Sequence, residues 1–146
     1  MSDTSLTNRF ACLALVVHGL IFTASVTTVI TQSPANSEGW HIPEGAAMES
    51  NPQPLDPAVL AKGRMLYKSR CQRCHGADGT GHGPESDPDH PAANLTDASR
   101  ASRNPDGVMF YKIWNGRAKP KMPAMSMEIT RAEVWDLIRY VTTLRK

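Results

Sequence analysis

Residues Cys71-Gln72-Arg73-Cys74-His75 decide how this chain is read. Two cysteines three residues apart stand close to one helical turn apart, so both sulfurs can point to the same side of a helix. Each can then form a thioether with one vinyl group of a single haem, which leaves His75 beneath the iron as the proximal nitrogen ligand. Two other chemistries use paired cysteines. A redox-active dithiol is expected after a strand in a βαβ unit, and no such pattern precedes Cys71. A zinc site needs further ligands at regular spacing, and His82 and His90 make no recognised pattern with the two cysteines.

Working outward from the motif, the chain reads as helical. Upstream, Asp56-Pro57 is a capping residue followed by proline at the first helical position. Val59, Gly63, Leu66 and Tyr67 then share one face at helical spacing. Downstream, Gly76, Gly79, Gly81 and Gly83 permit tight turns in a loop that must run close to a haem. A second helix is predicted from about Asn104-Pro105, through Val108, Met109, Ile113 and Trp114, to a stop at Asn115-Gly116. In the last helix Thr130 and Glu133 make a capping box, and Ile129 with Val134 a hydrophobic staple. Val134, Leu137, Ile138, Val141 and Leu144 form its apolar stripe. No strand pattern competes, so the expected fold class is all-α.

The 146 residues leave room for one domain with an appended segment. Phe10 to Ile30 carries no charged residue, and this run of 10–30 is long enough for one membrane-spanning helix. Residues 1–30 are therefore expected to be an N-terminal membrane anchor, with a cleaved signal segment as the alternative. No Lys or Arg occurs between Arg9 and Lys62, which places the N-terminus in the cytoplasm and the rest on the far, periplasmic side. Residues 31–56, with Pro34, Pro43, Pro52 and Pro54, read as a linker. As a flexible coil, about 22 of them would reach roughly 25 Å. Trp40, His41 and Ile42 are unusual in a tether and are expected to dock on the domain or on a neighbour. Residues 57–146 are the expected domain, small enough that a bound apolar group would help to fill its centre.

A net charge of +2 is too mild for nucleic-acid binding. Lys62, Arg64, Lys68, Arg70 and Arg73 nevertheless crowd the motif, and Lys112, Arg117, Lys119 and Lys121 precede Met122. These are either part of a mixed, solvated surface or a basic ring that steers the domain onto an acidic redox partner. With three cysteines, two of them in the motif and Cys12 in the apolar run, no disulfide framework is expected. His41, His82 and His90 read as ordinary surface histidines, and Met65 and Met109 as core packing.

Residues 57–146 resemble the class I, mono-haem, c-type cytochrome family. The likeness rests on Gly63 and Tyr67 before Cys71-Gln72-Arg73-Cys74-His75, on Lys121-Met122-Pro123, and on a closing helix with Leu137 and Tyr140. It implies a small helical domain wrapped around one covalent haem c, with the first and last helices crossing closely at Gly63 beside Tyr67 and Tyr140. It also implies that Cys71, Cys74, His75 and Met122 bind the haem, with His75 and Met122 on the iron. Met125 and Met127 are rivals for the second axial position, and Leu95 is the implied contact over the haem. His82 stands where the family usually carries an acid. A thioether ligand favours reduced iron, and two filled axial positions leave little room for substrate. The implied function is one-electron transfer rather than enzymatic turnover, free or as a subunit of a larger oxidoreductase complex. Its setting would be a periplasmic or membrane-associated respiratory or dehydrogenase chain, with redox proteins as partners. The alternatives are a small haem enzyme or gas sensor with a labile sixth ligand, and a docking subunit of a membrane redox complex.

Overall fold

The computed structural model describes residues 39–146. The apolar segment of 10–30, Cys12 and the first part of the expected linker lie outside the described residues. Four helices follow one another: α1 (Pro57–Leu66), α2 (Gln72–His75), α3 (Asp106–Asn115) and α4 (Arg131–Thr142). A wide π-helical turn, Tyr67–Cys71, joins α1 to α2, and short 3₁₀ turns lie at Ala46–Met48 and Ala98–Arg100. Among the described residues there is no strand, only an isolated bridge between Arg117 and Met122. No described helix is long and apolar enough to cross a membrane.

The helix ends follow local chemistry. Asp56 accepts from the amides of Ala58 and Val59, both at 2.9 Å, which satisfies two of the unpaired donors at the start of α1. At α4 the capping box closes in both directions: the Glu133 carboxylate accepts from the Thr130 amide at 2.7 Å, and the Thr130 hydroxyl accepts from the Glu133 amide at 3.3 Å. Ile129 and Val134 are both buried in the core beside it. Helix α3 begins after Pro105 and ends at Gly116, whose φ of 59° is costly for any residue with a Cβ.

Helices α1 and α4 pack against each other. At Gly63 the backbones come so close that a Cβ would fall onto the Asp136 carbonyl and 2.8 Å from Tyr140 Cβ. Tyr67 and Tyr140 meet next to the crossing with ring centroids 5.4 Å apart. Phe110, fully buried, stacks on Trp135 at 4.5 Å and on Trp114 at 5.7 Å, tying α3 to α4. Met109 is buried as expected, but Met65 is 66% exposed. The expectation of core packing for Met65 rested on residue type; Met65 lies off the face of Val59, Gly63, Leu66 and Tyr67, and in α1 only Val59 and Gly63 are buried.

Asp136 sits in this crossing, buried, and its Oδ1 has no hydrogen-bond partner among the described residues. Burial pushes its carboxyl above the usual carboxylate range, with Lys62 opposing. A raised native pKa means that folding favours the protonated acid. The stabilising contribution is complete below the unfolded value and is lost as pH rises through the native one. Asp136→Asn is therefore expected to raise the thermal midpoint at pH 7, by about 1 kcal/mol of stability. Melting curves of both proteins from pH 4 to 7 check this: the gain should shrink toward pH 4, and a gain independent of pH would contradict it.

The chain before α1 is not free of the domain. Ala46 is 1% exposed, and the Gly107 amide donates to the Glu49 carbonyl at 3.1 Å. Gly107 has no room for a side chain, because a Cβ there would meet the Ala46 carbonyl. The Asn51 amide group donates to the Trp135 carbonyl at 2.8 Å, and Arg139 donates to the carbonyls of Asn51 and Gln53 at 3.0 and 2.6 Å. Of the stretch read as linker, residues 46–53 are thus strapped along α3 and α4. Each contact joins residues more than fifty positions apart, which no local pattern reports.

Candidate functional site

The wide turn Tyr67–Cys71 carries the first cysteine, and α2 carries the second cysteine and His75. One extra residue per turn re-aims everything that follows it, and such π turns gather at functional sites. The loop after His75 folds back along α2: the Gly81, Gly83 and Glu85 amides donate to the carbonyls of His75, Cys74 and Arg73 at 2.8, 3.0 and 2.8 Å. The Tyr67 hydroxyl donates to the Gly76 carbonyl at 2.7 Å. Burial holds that hydroxyl well above its usual range, so it stays a donor.

These elements enclose a cavity of about 460 Å³. Tyr67, Leu95, Met109, Ile113, Leu137 and Val141 supply apolar wall, and Cys71, His75 and Met122 also line it. His75 arrives from the end of α2, whereas Met122 arrives from the loop between α3 and α4. Cys74 is not part of the wall, and its thiol lies 3.6 Å from the Glu85 carbonyl. The three rival methionines separate cleanly. Met122 is half-buried on the wall, Met125 is buried in the core and Met127 is 93% exposed. Leu95 lies on the wall, whereas His82 is exposed and His90 sits exposed at the rim, its Nδ1 3.6 Å from Asp87.

The donor set fits an iron-bearing, largely apolar group. His75 Nδ1 faces the Ala93 carbonyl at 3.0 Å, so it carries the proton and leaves Nε2 as the basic nitrogen. Burial lowers the His75 pKa, against the pull of the Ala93 carbonyl, which keeps the ring neutral. The Cys71 thiol behaves oppositely to a reactive one: burial, then the neighbouring Cys74, pushes it up to about 12. A redox dithiol depends on a depressed thiol pKa, so this environment disfavours that chemistry. Among the described residues no three His, Cys, Asp or Glu side chains are grouped to hold a metal ion by themselves.

Some of the cations near the motif pair with acids on a mixed surface, whereas other cations reach the cavity. Arg70 pairs with Glu128, and Arg73 lies 3.5 Å from Glu85, both pairs on the exposed surface. Those on the cavity wall are Arg100, Lys112, Arg117 and Arg145. Trp40 also lines the cavity, under Arg117 at 4.4 Å and Lys112 at 5.2 Å from its ring centre. Arg100, Arg145 and Trp40 were not legible as site residues. The one available signal was the oddity of a tryptophan in a proline-rich stretch.

A helical shell closing on a cavity, with Cys71 and His75 of the Cys-x-x-Cys-His motif at its wall, defines a carrier of covalent haem. The sequence matches the family Cytochrome c over residues 60–145, more than half of its length, and the chain belongs to that family. Membership implies covalently bound haem c and haem-based electron transfer. Among solved structures the chain is similar to the Kuenenia stuttgartiensis reducing HAO-like protein complex Kustc0457/Kustc0458. That likeness has a TM-score of 0.56 at 25% identity and covers 65% of this chain and 47% of that one. The match thus spans about half of that neighbour's length. A second similar structure, the KustC0563 c-type cytochrome, has a TM-score of 0.47 at 26% identity, covering 57% of this chain and 98% of that one. Comparison with curated proteins gives no significant match.

Proposed function

We propose that this chain is a mono-haem electron carrier in which Cys71 and Cys74 hold the haem and His75 and Met122 are its axial ligands. The observation that carries the reading is the meeting of Cys71, His75 and Met122 on one largely apolar cavity wall. The sequence contains a single Cys-x-x-Cys-His, which supports one haem. Bound haem supplies an iron that alternates between ferrous and ferric states. The protein's own part is to hold it rigidly: His75 is oriented by the Ala93 carbonyl, and Tyr67 and the loop at Gly76–Glu85 brace α2. Attachment of Cys74 as a thioether would remove the S–H that now faces the Glu85 carbonyl at 3.6 Å. The apolar wall excludes water, and a sulfur ligand beside a nitrogen ligand favours a raised reduction potential.

The same reading places the domain on the periplasmic side, with residues 1–30 as its membrane anchor or signal segment and redox proteins as its donor and acceptor. The similarity to a component of a reducing HAO-like complex supports a role as a subunit. The test is the optical spectrum of the matured protein in both oxidation states, for wild type and Met122→Ala. Wild type is expected to be low-spin and slow to bind carbon monoxide when reduced. Met122→Ala is expected to turn high-spin, to bind carbon monoxide rapidly and to have a lower midpoint potential. Rapid binding by wild type would favour a gas-binding or enzymatic role. An unchanged spectrum in the variant would rule out Met122 and direct attention to His90 at the rim.

A further inference from the structure

We propose that Trp40 is a positioning residue that latches the Met122 loop over the haem cavity through Arg117, an inference that rests on the reading of Met122 as the sixth ligand. Trp40 lies outside the stretch 60–145 that matches the family, yet it lines the cavity. Three observations connect it to the loop. Its ring faces the Arg117 guanidinium at 4.4 Å and the Lys112 ammonium at 5.2 Å, the geometry of a cation–π contact. The Asn115 side chain donates to the His41 carbonyl at 3.0 Å, immediately beside Trp40. The Lys119 carbonyl comes within ordinary contact of Gly39, 3.6 Å from where a Cβ would stand.

Arg117 is the lever. Its backbone pairs with Met122 in both directions, amide to carbonyl at 2.9 Å each way, so residues 117–122 move as one closed loop. Downstream, the Met125 amide donates to the Ile113 carbonyl at 3.0 Å, which fixes one end of that loop to α3. The side chain of Arg117, clasped by Trp40, fixes the other side. Trp40 is itself held, because the strap behind it is fastened at Glu49 to Gly107 and, through the Glu49 carboxylate, to the Tyr111 hydroxyl at 2.9 Å. The strap thus ties α3, through Trp40 and Arg117, to the segment that bears Met122.

A latch of this kind governs how readily the methionine yields its place, so the measurement is the affinity of the full-length ferric protein for imidazole, followed optically. Trp40→Ala is expected to bind imidazole about ten-fold more tightly than wild type, and Trp40→Phe to stay within about two-fold, because a phenyl face still receives the guanidinium. Thr130→Ala, which removes the α4 cap made with Glu133, separates a specific latch from general loosening and is expected to leave the affinity unchanged. Equal affinities for wild type and Trp40→Ala would overturn the proposal, as would an equal rise in Thr130→Ala. Should Trp40→Ala fail to mature, Arg117→Gln carries the same expectation: a rise supports the latch and no change refutes it. Met122→Ala separates the two layers. If it does not raise imidazole affinity, the ligand assignment itself fails; if it does while Trp40→Ala does not, only the latch fails.

Discussion

A Gly63→Val chain is expected to give no stable holoprotein, and Gly63→Ala to lose about 2–3 kcal/mol. Helix propensity alone predicts the opposite sign, since alanine in a helix interior is favoured over glycine by roughly 0.5–1 kcal/mol. The crossing decides the sign, because the added Cβ meets the backbone carbonyl of Asp136 and the Cβ of Tyr140, neither of which can rotate away. The helices must separate instead. That separation would open the contact between Tyr67 and Tyr140 and loosen Leu137, Ile138 and Val141, which form the core along α4. A domain of this size has only about 5–15 kcal/mol of stability, so valine, with two further methyl groups at the same point, is expected to exhaust it. Denaturant midpoints of the matured proteins check this; a stabilised Gly63→Ala would show that the crossing is looser than the structure has it.

Replacing both Cys71 and Cys74 by serine is expected to abolish covalent haem attachment and, with it, the fold. Haem staining after denaturing electrophoresis tests the first part, and circular dichroism the second. The reason for expecting collapse is the cavity. Without the haem, its apolar wall would face water or collapse inward, and each large side chain so exposed costs roughly 1.5–3 kcal/mol. A few of these compete with the whole stability of the domain. Tyr67, Met109, Leu137 and Val141 belong both to the cavity wall and to the hydrophobic core, so loss of the haem would disturb part of the core directly. A cysteine-free variant that melts cooperatively at the wild-type temperature would show that the shell stands without its haem.

The helices were legible because their signals are local. Asp56-Pro57, the Thr130–Glu133 box and Asn115-Gly116 each act within a few residues, and the structure places helix ends at or beside all three. The cysteine pair and His75 were legible for the same reason, since five consecutive residues hold their whole pattern. Met65 was misjudged because it was read from residue type alone, although it lies off the helical face that the neighbouring spacing defines.

What the sequence by itself determined, then, is what neighbours along the chain can settle: an all-α domain, where its helices start and stop, and a motif built for covalent haem. The Lys121-Met122-Pro123 resemblance singled out Met122, but only tertiary structure decided that it reaches the cavity wall while Met125 is buried in the core and Met127 exposed, that Arg100 and Arg145 line the same cavity, and that Trp40 closes on Arg117. The three methionines lie within six residues of one another, so their different burial could not be read from local pattern. Their fates are set by which backbone the loop pairs with and which core it faces, interactions between residues far apart in sequence whose energies exist only once the chain has folded.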